Sequence, residues 1–419
     1  MRRLDFIIGL LLAAVLAFPD AALSDGYTTP WLGGPLQGPA IASGAGVYWN
    51  PAATGAIRRN SLFFTLEPAY EGVSYQRSGT DPYNNNLPYP NIGFGTWAPL
   101  PSLALTFKLP KGLSTGLGLY APYARVAYWP KDGPERFNGS QETMVMFNVS
   151  PLLAYKVTPK LIVGAELNVS TAYLDVYQST TMDMQNPSDE NPIYEAKVHL
   201  KNNMATSYGF TIGLYYEPTP TFTFGISYMS SVHYLLEGTS DISTQLVGTM
   251  TADTKLDVTM PQTLNFGMHF LPAKNWMVDV TYQYINWSEY KNIKVQTYNA
   301  SNPLADKTIY MLTGLEDVLD GKIWTGYTGI KGWLLAGGVG YDPSSFPENH
   351  IYSLNIDFTR MDVFLGAEYT VTPSIKVGLM ADHAISPNIT VTDSIAQPPA
   401  NGLYTVEMDK ITLLLDYRF

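Results

Sequence analysis

The few residues in this sequence that could carry bond-making chemistry are spaced so that they cannot share it. Asp382 and His383 are adjacent, with Ser386 close behind, the residue types from which a hydrolase builds an acid, a base and a nucleophile. Along an extended chain, however, neighbouring side chains point to opposite faces, so Asp382 cannot orient His383. The remaining histidines, His199, His233, His269 and His350, have no ligand spacing, and the absence of cysteine removes thiolate metal sites, a thiol nucleophile and any disulfide framework. No Gly-x-Ser-x-Gly elbow, phosphate loop or His-Glu-x-x-His helix occurs. A formal net charge of -11 without a basic cluster argues against nucleic acid. The residues point away from an enzyme, a metal site or a cofactor.

What the chain does contain is alternation. In residues 161–169, Leu161, Val163, Ala165, Leu167 and Val169 share one face, with Gly164, Glu166 and Asn168 on the other. Phe222, Phe224, Ile226 and Tyr228 alternate with Thr221, Thr223, Gly225 and Ser227, and Trp276, Val278, Val280 and Tyr282 with Met277, Asp279, Thr281 and Gln283. The apolar faces carry no charge, as lipid contact requires when a mid-bilayer Lys or Arg costs roughly 2–4 kcal/mol. Charged residues make up only 15% of the chain, against about 25% in soluble domains, and aromatics 13%. After the first 20 residues no apolar run is long enough for a spanning helix.

Short turns supply a strand count. Proline-bearing turns at Leu109-Pro110-Lys111-Gly112, Val157-Thr158-Pro159-Lys160, Glu217-Pro218-Thr219-Pro220, Leu271-Pro272-Ala273-Lys274 and Val371-Thr372-Pro373-Ser374 recur at similar intervals, except that the last is about doubled. A turn at Gly329-Ile330-Lys331-Gly332 halves it. Six such turns with a strand before the first and after the last give an all-β, antiparallel transmembrane barrel of about 14 strands, with 12 as the alternative. Longer segments at 78–98, 127–139, 179–194, 236–253, 296–321, 343–350 and 387–402 fall at the other rim, the pattern of periplasmic turns and extracellular loops. The final strand places Ile411, Leu413, Leu415, Tyr417 and the terminal Phe419 on one face.

The amino end is built differently. Arg2 and Arg3, the apolar residues 6–18 and the small-x-small Ala22-Leu23-Ser24 read as a signal peptide over residues 1–24. Residues 25–58 are rich in glycine and proline, uncharged between Asp25 and Arg58, and follow no period of two. Apolar irregular chain of this kind fits as a plug closing the lumen of a barrel formed by residues 59–419.

Several motifs in order resemble the outer-membrane long-chain fatty acid and hydrocarbon transporter family (FadL-type, similar to OmpP1 and TodX). They are Asn50-Pro51-Ala52, the Ala121-Pro122-Tyr123 that follows Gly116-Leu117-Gly118-Leu119, Ser150-Pro151-Leu152-Leu153-Ala154-Tyr155, Met260-Pro261-Gln262-Thr263 and Asn286-Trp287-Ser288-Glu289. The sequence departs from the family in carrying Ala124 where Gly usually follows Pro-Tyr. The resemblance implies passive uptake of a hydrophobic small molecule, long-chain fatty acids first and neutral aromatic hydrocarbons second. It also implies a bacterial outer-membrane location in contact with membrane lipid, and recognition by the barrel assembly machinery through the strand ending at Phe419. Its plug motif falls on Asn50, Pro51 and Ala52. A lateral opening would fall at Gly116, Gly118, Pro122 and Tyr123, because Pro122 has no N–H for its neighbouring strand; the other reading of Pro122 is a strand end in water. A fatty acid would need a cation, for which Arg125, Arg136 and Arg360 are candidates. Met277, Phe364, Met380 and Leu414 are candidate apolar lumen residues, whether for an oily passage or for packing against the plug.

Overall fold

The computed structural model describes residues 28–419 apart from 30, 184, 247, 291, 300–306 and 313. The proposed signal peptide and the first residues of the proposed plug lie outside this range. Fourteen antiparallel strands close into a barrel. They are β1 (Ser61–Arg77), β2 (Asn91–Lys108), β3 (Leu113–Tyr128), β4 (Gln141–Lys156), β5 (Leu161–Thr181), β6 (Glu195–Asn202 and Ala205–Thr219) and β7 (Phe222–Met229 and Val232–Thr244). There follow β8 (Gly248–Met260 and Thr263–Ala273), β9 (Trp276–Ile285 and Asn292–Tyr298), β10 (Lys307–Leu312 and Val318–Tyr327), β11 (Trp333–Asp342), β12 (Arg360–Thr372), β13 (Ile375–Ile385) and β14 (Gly402–Arg418). β14 returns to β1 in continuous register from Ser61↔Arg418 to Arg77↔Gly402, so no sheet edge is left at the seam. Twelve strands is excluded.

All six short turns join strands where the prolines and glycines place them. Alternation is as regular as the sequence implies: on β14 Leu403, Ile411, Leu413 and Tyr417 face outwards, while Lys410, Thr412, Leu414 and Asp416 face the lumen. At the short-turn rim the outward aromatics pair, Trp276 with Tyr327 at 5.0 Å, Trp333 with Tyr369 at 4.7 Å, and Phe107 with Phe419 at 6.3 Å between ring centroids. They form the aromatic girdle expected at a membrane interface.

Three long-loop expectations change. Residues 236–253 are a β-hairpin, with β7 and β8 paired out to Thr244↔Gly248, because Ser, Thr and Asp at strand tips in water still pair their backbones. Residues 91–98 belong to β2 despite Pro99 and Pro101 just beyond. Third, the connection after β11 runs through residue 359 and folds into the barrel mouth: Phe346, Ile351, Leu354, Ile356 and Phe358 are all buried. Five apolar residues in seventeen could not be left in water without cost, and the lumen is the nearest apolar space.

The lumen has two chemically distinct halves. Nearer the long loops, inward residues are apolar: Val73, Met144, Met146, Leu236, Leu256 and Val258 pack with the 343–359 loop. Nearer the short turns they are polar or charged, including Glu67, Asn168, Ser227, Asn265, Thr281 and Lys322, and residues 31–57 occupy the space between them. Loops cap the outer end: the Trp129 indole N–H donates to Ser353 O at 2.9 Å and Asn138 to Pro398 O at 3.1 Å, while Arg77 forms a buried bidentate pair with Glu190.

In this cap burial pushes the Glu135 carboxyl up to about 8, against the opposing pull of a backbone hydrogen bond, Arg136 and Arg77. The folded loop therefore keeps a proton that the unfolded chain releases near 4.5, and the cap loses stability as pH rises from there to about 8. Glu135→Gln is expected to remove this slope, worth on the order of 2–4 kcal/mol at full ionisation. Hydrogen exchange of the 129–140 amides across that pH range measures it; an unchanged slope in the variant would assign it to another group.

Candidate functional site

Two short helices, α1 (Gly46–Trp49) and α2 (Pro51–Thr54), form the body of the internal segment, and Asn50 is the joint between them. Its side chain accepts from Ala52 N at 3.0 Å, capping α2, where Pro51 occupies the first turn as its missing N–H allows. The same amide donates to Pro39 O and to Leu214 O of the barrel wall, both at 2.9 Å. Asn50 is fully buried, so all three bonds are made without competition from water.

The wall receives this segment on glycines. Gly164 on β5 pairs directly with Gly213 on β6, and Gly225 on β7 with Gly267 on β8, each pair facing inwards. A Cβ at Gly164 would strike the Pro51–Ala52 backbone and one at Gly213 the Asn50 carboxamide. Gly225 and Gly267 do the same for Pro39, the latter at 2.7 Å. These are close approaches that only glycine permits. On the far side, the Lys322 ammonium of β10 lies 4.6 Å and 4.7 Å from the ring centroids of Trp31 and Trp49, a cation shared by two indoles of the segment. The Trp31 indole N–H donates to Asp362 at 2.8 Å, and Gly33 N to Glu67 at 2.8 Å. Phe364, Met380 and Leu414 are buried in one cluster with Trp31, Leu36 and Trp49 of the segment, and Met277 packs at its edge.

β3 departs from the wall at the glycine-proline stretch. It pairs with β2 only from Leu103↔Leu119 to Lys108↔Ser114, which leaves residues 91–102 of β2 without a β3 partner. Its ladder to β4 breaks between Tyr120 and Tyr123, spanning Ala121 and Pro122. From Gly118 to Ala127 every residue is buried, with no alternation, so the strand has turned into the lumen. Gly116 and Gly118 begin the turn; a Cβ on Gly118 would meet Val47 at 2.8 Å. The backbone groups freed by the break are taken up by the internal segment: Thr29 N donates to Pro122 O at 2.9 Å and its hydroxyl to Ala121 O at 2.7 Å. Pro122 is thus at mid-strand, inside the lumen, and the strand-end reading does not hold.

Tyr123 projects across the lumen to the opposite wall, donating to Pro261 O at 3.2 Å and meeting the buried Trp287 edge-on at 6.0 Å. Pro261 and Trp287 lie where β8 and β9 are interrupted, and Gln262 ties the two breaks together through Asn286 at 2.9 Å and Glu289 at 3.2 Å. Met260-Pro261-Gln262 and Asn286-Trp287-Ser288-Glu289 therefore form one unit facing the kinked strand. Pro99 and Pro101 have a matching explanation: they sit on the part of β2 whose second edge is unpaired, where a missing N–H costs nothing.

The three arginines all have carboxylate partners. Arg136 is bidentate to Glu195 at 3.0 Å and 3.2 Å in the cap, Arg125 is 3.5 Å from Glu142, and Arg360 contacts Asp342 and Asp362. At the boundary of the two lumen halves, Arg125 and Arg360 thus each sit against carboxyl groups from other strands or from their own. Asp382 faces the lumen, whereas His383 points outwards to Asp409 at 2.8 Å, as their adjacency requires. The sequence reading missed the outer apolar lining and the 343–359 loop; the inward-phase Met144 and Met146 were the available signal.

Residues 26–419 match the sequence profile of the family described as outer membrane protein transport protein (OMPP1/FadL/TodX). No curated protein sequence matches the chain. Among solved structures it is similar to a Pseudomonas aeruginosa FadL homologue, at TM-score 0.80 and 17% identity over 96% of this chain and 99% of that one. It is similar also to the Ralstonia pickettii toluene transporter TbuX, at TM-score 0.68 and 18% identity over 97% and 100% of the two chains. The P. putida toluene transporter TodX follows, at TM-score 0.69 and 15% identity over 90% and 94%. With a family match across nearly its whole length on a closed 14-stranded outer-membrane barrel, the chain belongs to the OMPP1/FadL/TodX family of outer-membrane transporters of hydrophobic compounds.

Proposed function

We propose that the chain admits uncharged hydrophobic molecules into the apolar outer half of its lumen and releases them sideways, into the membrane, between β2 and β3. Residues 25–58 act in this reading as a plug that denies them the polar inner half. The observation that carries it is the departure of β3 from β2 beyond Leu103↔Leu119, which opens the ladder of an otherwise closed barrel next to the apolar chamber. A hydrophobic molecule gains about 25 cal/mol for each Å² of apolar surface it removes from water. A side exit keeps that gain, whereas a periplasmic exit through Asp279, Lys322 and Lys410 would forfeit it.

Long-chain fatty acids and neutral aromatic hydrocarbons differ in what they ask of the charged belt. A carboxylate arriving there meets arginines that are already paired with acids, which favours the uncharged class. Displacement of a bound fluorescent fatty acid from the purified protein distinguishes them. Toluene is expected to compete, and Glu142→Gln to tighten fatty acid binding by about fivefold by releasing Arg125 from its carboxyl partner. If unlabelled fatty acid alone competes and Glu142→Gln changes nothing, the ligand is anionic, and Arg125, Arg136 and Arg360 become the residues to substitute.

A further inference from the structure

At the periplasmic mouth, below the end of the internal segment, the inner wall of β2 to β6 leaves a cavity of about 430 Å³. Arg58, Lys108, Lys156 and Lys160 line it, opposed by Glu217, with Tyr215 among the residues at its wall. Four cations converging in one recess are unexpected in a chain of net charge -11. Two of them have structural partners: Lys108 Nζ donates to Gly55 O at 2.7 Å and Ser114 Oγ at 3.0 Å, and Lys160 Nζ to Pro218 O at 2.6 Å. Arg58 and Lys156 are exposed and, among the described residues, their side chains make no hydrogen bond or ion pair.

We propose that this cavity is an oxyanion site that takes a phosphate group, either free or as the headgroup of a phospholipid. A guanidinium offers a bidentate fork and an ammonium a point charge, and together they suit an anion with several oxygens in different directions. The volume exceeds that of a phosphate ion, which leaves room for an esterified headgroup beside Tyr215. Arg58 belongs to the internal segment and Lys156 to the end of β4, so a bound phosphate bridges plug and wall and holds the exit of the segment in place. The site is separate from the hydrophobic path and needs no assumption about its ligand.

The test is a calorimetric titration of the full mature chain, in an uncharged detergent, with inorganic phosphate. Saturable binding is expected, weakened about tenfold or more by Arg58→Gln with Lys156→Gln and unaffected by Arg59→Gln, whose residue lies outside the cavity. Heat-modifiable gel mobility confirms that each variant is a folded barrel. Micelles doped with phosphatidylglycerol form the second arm: if they displace phosphate, the site takes the lipid headgroup, and if they do not, it takes the free ion. Absence of saturable phosphate binding, or binding of equal strength in the double variant, would overturn the proposal.

Discussion

Valine at position 213 is expected to turn this closed barrel into an open pore. The added side chain would occupy the place of the Asn50 carboxamide, which then loses its bonds to Pro39 O and Leu214 O and its cap on α2. Each buried polar group left unsatisfied costs about 1–3 kcal/mol, so the docked state of the segment loses about 3 kcal/mol or more. That shifts the ratio of docked to released segment by more than ~100-fold. The barrel itself should survive, because valine suits a strand and the β5–β6 ladder around Gly164↔Gly213 is formed by backbone. Planar-bilayer conductance checks this: steady ion current is expected for Gly213→Val and none for the parent or for Leu379→Val on the lipid face. A Gly213→Val protein as tight as the parent would mean that the segment does not seal the lumen.

The second large effect should come from fastening β3 to the neighbouring wall. Leu100 on β2 and Ala124 on the kinked part of β3 are buried in one small cluster with Ala69. The chain has no cysteine, so Leu100→Cys with Ala124→Cys introduces a single possible disulfide. If ligand passes between these strands, the oxidised protein should take up hydrophobic ligand about tenfold more slowly or worse, and a reductant should restore the rate. Recovery on reduction separates a blocked exit from a damaged barrel. Uptake at the parental rate in the oxidised protein would place the exit elsewhere.

The barrel was legible because its determinants are local. Lipid forces one face of every strand to be apolar, and turns two to five residues long need Pro and Gly at set places, so alternation and punctuation together reported fourteen strands. The candidate site was legible only where a residue breaks a local rule. Pro122 in a glycine-rich strand signalled a break in pairing, but not that Thr29, far away in sequence, would supply the missing partner. Gly164 and Gly225 were visible as inward glycines, yet their purpose appears only when Gly213 and Gly267 stand beside them and the segment rests on all four. Arg125 and Arg360 showed the opposite: a cation at an inward position is conspicuous in sequence, while the acids that neutralise it come from other strands. Non-local pairing of this kind leaves no periodic trace.

Sideways release specifies where a ligand touches the protein as it leaves. Trp97 is on the stretch of β2 without a β3 partner, 53% exposed on the lipid face, and a benzophenone-bearing amino acid of similar bulk can replace it. The same group at Tyr215 reports on the periplasmic mouth. Irradiation during uptake of a radiolabelled hydrocarbon should capture label at position 97 and leave position 215 unlabelled. Label at 215 and none at 97 would contradict the account, because the ligand would then have passed the plug and crossed the polar half of the lumen.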